Sequence, residues 1–160
     1  MAKYVYPAVI SKMEDAEYGS YYHVIFPDIE GCFTDGDTME EALENAADVL
    51  NFMMYGVEHD NKGLSARNRI NKPTPINEIK KENAADVVTL VYADTVIYGE
   101  IIKRENNPIR YAREKAGLNI KQLAELLQAP YRTVQDWNAG KKFPPKWVEK
   151  LVIEKIETAY

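Results

Sequence analysis

Asp28, Glu30, Asp35 and Asp37 place four carboxylates within ten residues of chain, a density that invites a metal site. Converging carboxylates hold the divalent ions of phosphodiester-cleaving centres. Such centres draw their acids from separate strands, whereas these four fall within one loop and turn. They read more simply as turn formers, helix-start charge and a solvated face. No metal, cofactor or catalytic residue is therefore expected. His23 and His59 stand too far from other ligands to form a set, and each is expected to be structural or exposed. Cys32 has no neighbouring cation or histidine to activate it and reads as a small buried hydrophobe. Tyr4, Tyr6, Tyr18, Tyr21 and Tyr22 could stack on RNA bases, but a strand hairpin packing its own core explains them better.

The elements that position these residues follow from periodicity. Residues 3–12 (KYVYPAVISK) read as a strand, with Pro7 marking an edge strand or a local irregularity. Residues 13–20 form a polar turn, and 21–26 (YYHVIF) a second, interior strand of the same hairpin, with Tyr22, Val24 and Phe26 on one face. Pro27 and Asp28 open a loop, Gly31 permits a tight bend, and 32–35 make a short third strand. Gly36 and Asp37 then lead into a helix. Thr38 and Glu41 have the spacing of a capping box, and Asp37, Glu40 and Glu41 complement the positive end of the helix dipole. Met39, Leu43, Ala46, Leu50 and Met53 or Met54 define one buried stripe, and a stop is expected near Tyr55 and Gly56. Residues 57–69 read as polar and irregular, Thr74–Pro75 as the start of a short helix, and 86–92 (DVVTLVY) as a strand closing the sheet. The order β-β-β-α-β defines a small α+β domain.

Composition bounds the function class. Hydrophobic residues make up 46% and charged residues 28%, as in an ordinary globular protein. No apolar run approaches the roughly 18 residues of a membrane span. The N-terminus carries no secretory signal pattern, and a single cysteine fits a reducing compartment. A cytoplasmic location without membrane association is expected. The net charge of −5 is unevenly spread. Residues 1–103 hold 9 Lys/Arg and 18 Asp/Glu (net −9), and residues 104–160 hold 11 and 7 (net +4). An acidic half joined to a basic half suggests a basic partner for the first and an anionic polymer for the second.

The stretch around Phe26-Pro27-Asp28, Gly31-Cys32, the run Thr34 to Thr38 and the run Glu40 to Ala46 resembles the N-terminal domain of the HicB antitoxin family. The resemblance implies a degenerate ribonuclease-H-like domain over residues 1–103. That domain would bind and neutralise a small basic messenger-RNA-cleaving toxin of the HicA type. Asp28, Gly31, Cys32, Asp35, Gly36 and Asp37 are the motif residues of that toxin-binding domain.

In the basic half, Asp94 caps a helix through Lys103, and 104–108 (RENNP) reads as a linker. Residues 108–145 resemble the helix-turn-helix of phage-repressor-like proteins, within an all-α domain spanning 104–160. A first helix runs from Ile109 to Lys115. Asn119 caps a second, with Leu123, Ala124 and Leu127 inward. Gln128–Ala129–Pro130 connects to a third, with Val134 and Trp137 in the core, and Gly140 ends it. A last helix covers 146–156. The resemblance makes the third helix the one that reads the major groove through its first exposed positions, Tyr131, Arg132, Gln135 and Asp136. Thr133 and Asn138 belong to the same DNA-facing set, while Lys121, Gln122, Lys141 and Lys142 are expected to touch phosphates. Ile120 and Asn138 depart from the common pattern, where glutamine and glutamate stand, and Asp136 adds a negative charge. Operator binding therefore calls for a homodimer or higher homo-oligomer on half-sites roughly 34 Å apart.

The whole reads as a non-enzymatic antitoxin that occludes a toxin and autorepresses its operon on double-stranded DNA. The alternatives are a stand-alone helix-turn-helix regulator with an acidic sensor domain, and a metal-dependent ribonuclease.

Overall fold

In the computed structural model, which describes residues 3–59 and 69–160, the aromatic and β-branched N-terminal run forms β1, Lys3–Asp15. A tight turn leads to β2, Gly19–Ile25, so the polar turn is shorter than residues 13–20. Asp15 closes it by accepting from the N–H groups of Glu17 (2.8 Å) and Tyr18 (3.0 Å), which holds its carboxyl below the usual range. The short strand β3 is Phe33–Gly36 and the last strand β4 is Val87–Asp94. The sheet is antiparallel throughout, in the order β3-β2-β1-β4.

β1 is thus a central strand, which corrects the edge reading drawn from Pro7. The proline is fully buried and pairs with Leu90 of β4, while the ladder to β2 begins only at Val9 opposite Ile25. At Pro7 the strand is paired on one side alone, and a missing N–H is tolerated there.

One face of the sheet is covered by α1, Met39–His59. The core joins Tyr6, Ala8, Ile10, Val24, Val91 and Ala93 of the sheet, and Phe26 just after β2, to Ala42, Ala46, Leu50, Met53 and Met54 of the helix. The buried stripe is therefore centred on Ala42 and Ala46, and Leu43 is exposed, contrary to the sequence reading. Alanine carries little weight in a hydrophobic pattern, yet it lets the helix backbone approach the sheet. The helix also continues past Gly56, so residues 57–59, expected to be irregular, are helical. His59 Nδ1 lies 2.9 Å from the Tyr55 carbonyl, and its ring stacks on Tyr55. Residues 60–68 of that expected loop lie outside the described residues. The Thr74–Pro75 start leads into a 3-10 turn at Ile76–Glu78.

The chain divides into two compact units between Tyr98 and Gly99. That point lies inside α2, Thr95–Asn106, where Asp94 Oδ1 accepts from the N–H groups of Val96 and Ile97 as a helix start requires. Arg104 to Asn106 are helical rather than linker. In the second unit follow α3 (Pro108–Lys115), α4 (Ile120–Leu127), α5 (Tyr131–Asn138) and α6 (Lys146–Ala159), the last three residues longer than expected. Their core is Ile109, Ala112, Leu118, Leu123, Ala124, Val134, Val152 and Ile156. The described residues thus form an α+β chain with a four-stranded sheet and six α-helices. None of these helices is long and apolar enough to cross a membrane.

Candidate functional site

The Phe26–Asp37 segment separates into residues spent on the fold and residues left at the surface. Asp28 is buried: its Oδ2 accepts from the Thr74 N–H (2.8 Å), its Oδ1 from the Thr74 hydroxyl (2.6 Å), and its carbonyl from the Asn71 N–H (2.8 Å). With the Ile29–Ile70 bridge these bonds stitch the loop to residues 69–74. Gly31 has φ +75°, the left-handed region that glycine enters without strain. Cys32 is buried, and burial pushes its thiol up to about 12. Because the thiolate is the reactive form, alkylation at pH 8 is expected to be about 1,000-fold slower in the folded protein than in urea. Comparable labelling in the two states would contradict this burial.

Gly36 is buried against the start of α1, where a Cβ would lie 2.4 Å from the Ala42 nitrogen. Asn45 Nδ2 donates to the Asp35 carbonyl (2.8 Å), fastening β3 to the helix. The capping box is displaced by one residue. Glu41 N–H donates to Thr38 Oγ1 (3.2 Å), but its carboxylate accepts from the Asp37 N–H (2.8 Å) rather than from that of Thr38.

Glu30, Asp35 and Asp37 remain exposed. Asp35 Oδ1 lies 2.5 Å from His23 Nδ1 across the β2–β3 pair, and Glu30 Oε2 accepts from the Arg69 N–H (3.1 Å). Asp28, Glu30 and Asp35 are thus engaged separately, each with a different partner. Among the described residues no three His, Cys, Asp or Glu side chains are grouped to hold a metal ion. By strand register, the sheet face away from α1 carries Val5 with Tyr92, Pro7 with Leu90, and Val9 with Ile25 and Phe33. Val5, Ile25, Phe33, Leu90 and Tyr92 are exposed there. A cleft of about 460 Å³ opens beside this face, lined by Ile25, Pro27, Glu30, Phe33, Arg69 and Asn71 among others. The tyrosines divide by position: Tyr6 is buried, Tyr4 and Tyr22 pack against the core, and Tyr18 projects from the hairpin turn.

In the second unit, Asn119 and Gln122 form a full capping box on α4, so the Gln122 side-chain oxygen already accepts from the Asn119 N–H (2.8 Å). Gln128, at φ +52°, ends α4, and three residues connect it to α5. Val134 is fully buried and Trp137 packs on the core, as the spacing predicts. Tyr131 and Arg132 are exposed at the first turn of α5, Thr133 and Gln135 are half-buried, and Lys121, Lys141 and Lys142 are exposed. Asp136 is largely covered and lies 3.6 Å from both Arg132 and Lys142, so its charge steadies two cations. Asn138 is held from within: its Oδ1 accepts from Arg113 Nε (3.0 Å).

Sequence reasoning passed over Asn107 and Arg113. Asn107 caps α3 through the Arg110 N–H (3.1 Å), and its amide donates to the Trp137 carbonyl (2.9 Å), tying α3 to the end of α5. The signal was there, since Asn before Pro is an N-cap followed by a first-turn proline. Arg113 donates to the Leu118 carbonyl as well as to Asn138. Nothing in the sequence announces that reach.

Residues 6–110 match the family described as HicB-like antitoxin of bacterial toxin–antitoxin systems. The match covers well over half the chain, and the chain belongs to this family. It is also 38% identical over 66 residues to an uncharacterized 14.9 kDa protein from the rep-hol intergenic region of Haemophilus phage HP1. That alignment takes in 41% of this chain and 46% of the phage protein, so the chain spans about half the length of the relative it matches. Among solved structures it is similar to a toxin–antitoxin complex from Streptococcus pneumoniae. The identity there is 19% and the TM-score 0.46, with 88% of this chain and 99% of the other covered.

Proposed function

We propose that this antitoxin binds and occludes a small basic HicA-type messenger-RNA-cleaving toxin through its N-terminal unit and represses its own operon through the C-terminal one. Membership of the antitoxin family over residues 6–110 carries the reading. Charge supports it: Glu30, Asp35, Asp37, Glu40, Glu41 and Glu44 are all exposed on or beside the motif. Apolar Ile25 and Phe33 lie next to Asp35 and His23 on the open sheet face, and such a mixture suits a protein partner. Neutralisation then needs no catalytic group, only coverage of the toxin's RNA-binding surface.

The DNA-binding part rests on residues 108–145, most of which lie beyond the family match. There α4, a three-residue connection and α5 fit a helix-turn-helix, with Tyr131, Arg132, Thr133 and Gln135 toward the bases and Lys121, Gln122, Lys141 and Lys142 toward the phosphates. Asn138 serves that surface by bracing it.

Co-expression with the neighbouring small open reading frame tests the first half. A small basic protein should co-purify and should arrest growth when this chain is absent; a harmless neighbour that does not bind would refute the toxin reading. Operator binding tests the second. Arg132→Ala is expected to weaken it by about 10- to 100-fold, the scale of one base contact, with toxin binding unchanged. Lys142→Ala should lower affinity evenly across sequences and reduce the salt slope by about one unit. Parallel loss of operator and toxin binding in folded Arg132→Ala protein would defeat the division of labour.

A further inference from the structure

Asp136 stands between two cations of the second unit. One turn after Arg132 on α5, its Oδ1 lies 3.6 Å from Arg132 Nε, and its Oδ2 lies 3.6 Å from Lys142 Nζ. The Asp136 side chain is only 13% exposed, whereas those of Arg132 and Lys142 are 79% and 77% exposed. Its backbone carbonyl separately accepts from the N–H groups of Lys141 (3.0 Å) and Lys142 (3.4 Å), so the turn after α5 closes without the carboxylate. The carboxylate is therefore spent on the two cations rather than on the turn. Because Asp136 meets Arg132 at Nε, the two terminal nitrogens of the guanidinium stay open at the first turn of α5.

We propose that Arg132 reads a guanine in the operator and that Asp136 is the positioning residue that makes this reading selective. The inference rests on the operator-binding half of the proposed function and adds to it the base read and the residue that sets discrimination. The terminal nitrogens of an arginine donate in parallel to O6 and N7 of guanine, a pair of acceptors that no other base offers in the major groove. An arginine tied down at Nε enters that contact with less rotamer freedom to lose. Asp136 itself is too covered to reach a base edge, and its oxygens already face cations. On non-cognate DNA the same carboxylate works against binding. There Arg132 and Lys142 have only phosphates to meet, and the negative charge between them repels those phosphates and holds the cations back. Specificity is a difference of affinities, and a group that weakens the wrong complex more than the right one raises it.

The test is selection from a randomised double-stranded DNA library by the full chain. Anisotropy titrations follow on the selected duplex, on its single-base-pair variants and on a random-sequence duplex. Wild-type protein should select an invariant G·C pair whose replacement by A·T weakens binding by about 10- to 100-fold. Arg132→Lys, which keeps the charge and loses the fork, should lose that penalty at that pair alone. Asp136→Asn should bind the random duplex about 3- to 10-fold more tightly, the scale of one added charge, and should cut the G·C penalty by a similar factor. Added to Arg132→Lys, it should leave the penalty at every pair unchanged, whereas a merely structural role lowers penalties in both backgrounds. Urea unfolding followed by Trp137 and Trp147 fluorescence checks the fold. Should Asp136→Asn unfold, Asp136→Ser decides by the same criteria. An undiminished penalty at every pair in Arg132→Lys overturns the proposal. So does an equal change, zero included, on selected and random duplexes in Asp136→Asn. A wild type that selects no sequence removes the operator reading and this inference with it.

Discussion

Gly36→Ala is expected to destabilise the N-terminal unit by about 3 kcal/mol or more, the upper range for forcing an atom into a packed core. The added Cβ would stand 2.4 Å from the Ala42 nitrogen, 2.7 Å from its Cα and 2.9 Å from the Glu41 carbonyl carbon. All three are backbone atoms in the first turn of α1, so no rotamer change relieves the clash. Either β3 or the helix must move, and each is tied to the other by Asn45 and to the core by Ala42 and Ala46. Gly19→Ala is the control. Its φ is +79° but nothing lies within 4 Å of the added atom, so it should cost only about 1 to 2 kcal/mol of left-handed strain. Amide hydrogen exchange in β1 and β2 reads this unit, because both tryptophans, Trp137 and Trp147, belong to the other. A Gly36→Ala protein no less stable than Gly19→Ala would show that the close approach is not real.

Asp28→Ala is expected to cost about 2 to 4 kcal/mol, since two hydrogen bonds to a carboxylate are lost and the Thr74 donors are left behind. Residues 69–74 should loosen with it, and their backbone amides should exchange faster. Asp28→Asn should fall between, because its amide oxygen still accepts one of the two bonds. A metal-site role predicts a different pattern, with folding intact and a divalent-dependent activity lost. Stability within 0.5 kcal/mol of wild type, the scatter of neutral surface substitutions, would remove the structural account of Asp28. The comparison also governs how partner-binding experiments are read. Loss of toxin binding in Asp28→Ala would report the fold, whereas loss in Asp35→Ala or Asp37→Ala would report the surface.

The secondary structure was legible because its signals are local. Alternation gave the hairpin, Thr38 and Asn119 announced helix starts, and Gly117 and Gly140 marked helix ends. The family was legible from the 26–46 motif for the same reason. The motif residues could not be sorted by role in this way. In the sequence Cys32 already reads as buried, which it is, whereas Asp28 and Gly36 look like Glu30, Asp35 and Asp37, small or acidic residues of a turn. They differ only in what lies over them, which is Thr74 for Asp28 and Ala42 for Gly36, brought there by long-range contact.

By itself the sequence determined the alternation of elements, the helix starts at Thr38, Asp94 and Asn119, the charge asymmetry and the antitoxin family, all properties of neighbours along the chain. Tertiary structure alone decided that Pro7 sits in a central strand, that Ala42 rather than Leu43 faces the sheet, and that Asn107 and Arg113 brace α5. It also decided that Trp147 and Leu151 remain in water. Burial depends on which surfaces meet, and residues distant in the chain set that meeting.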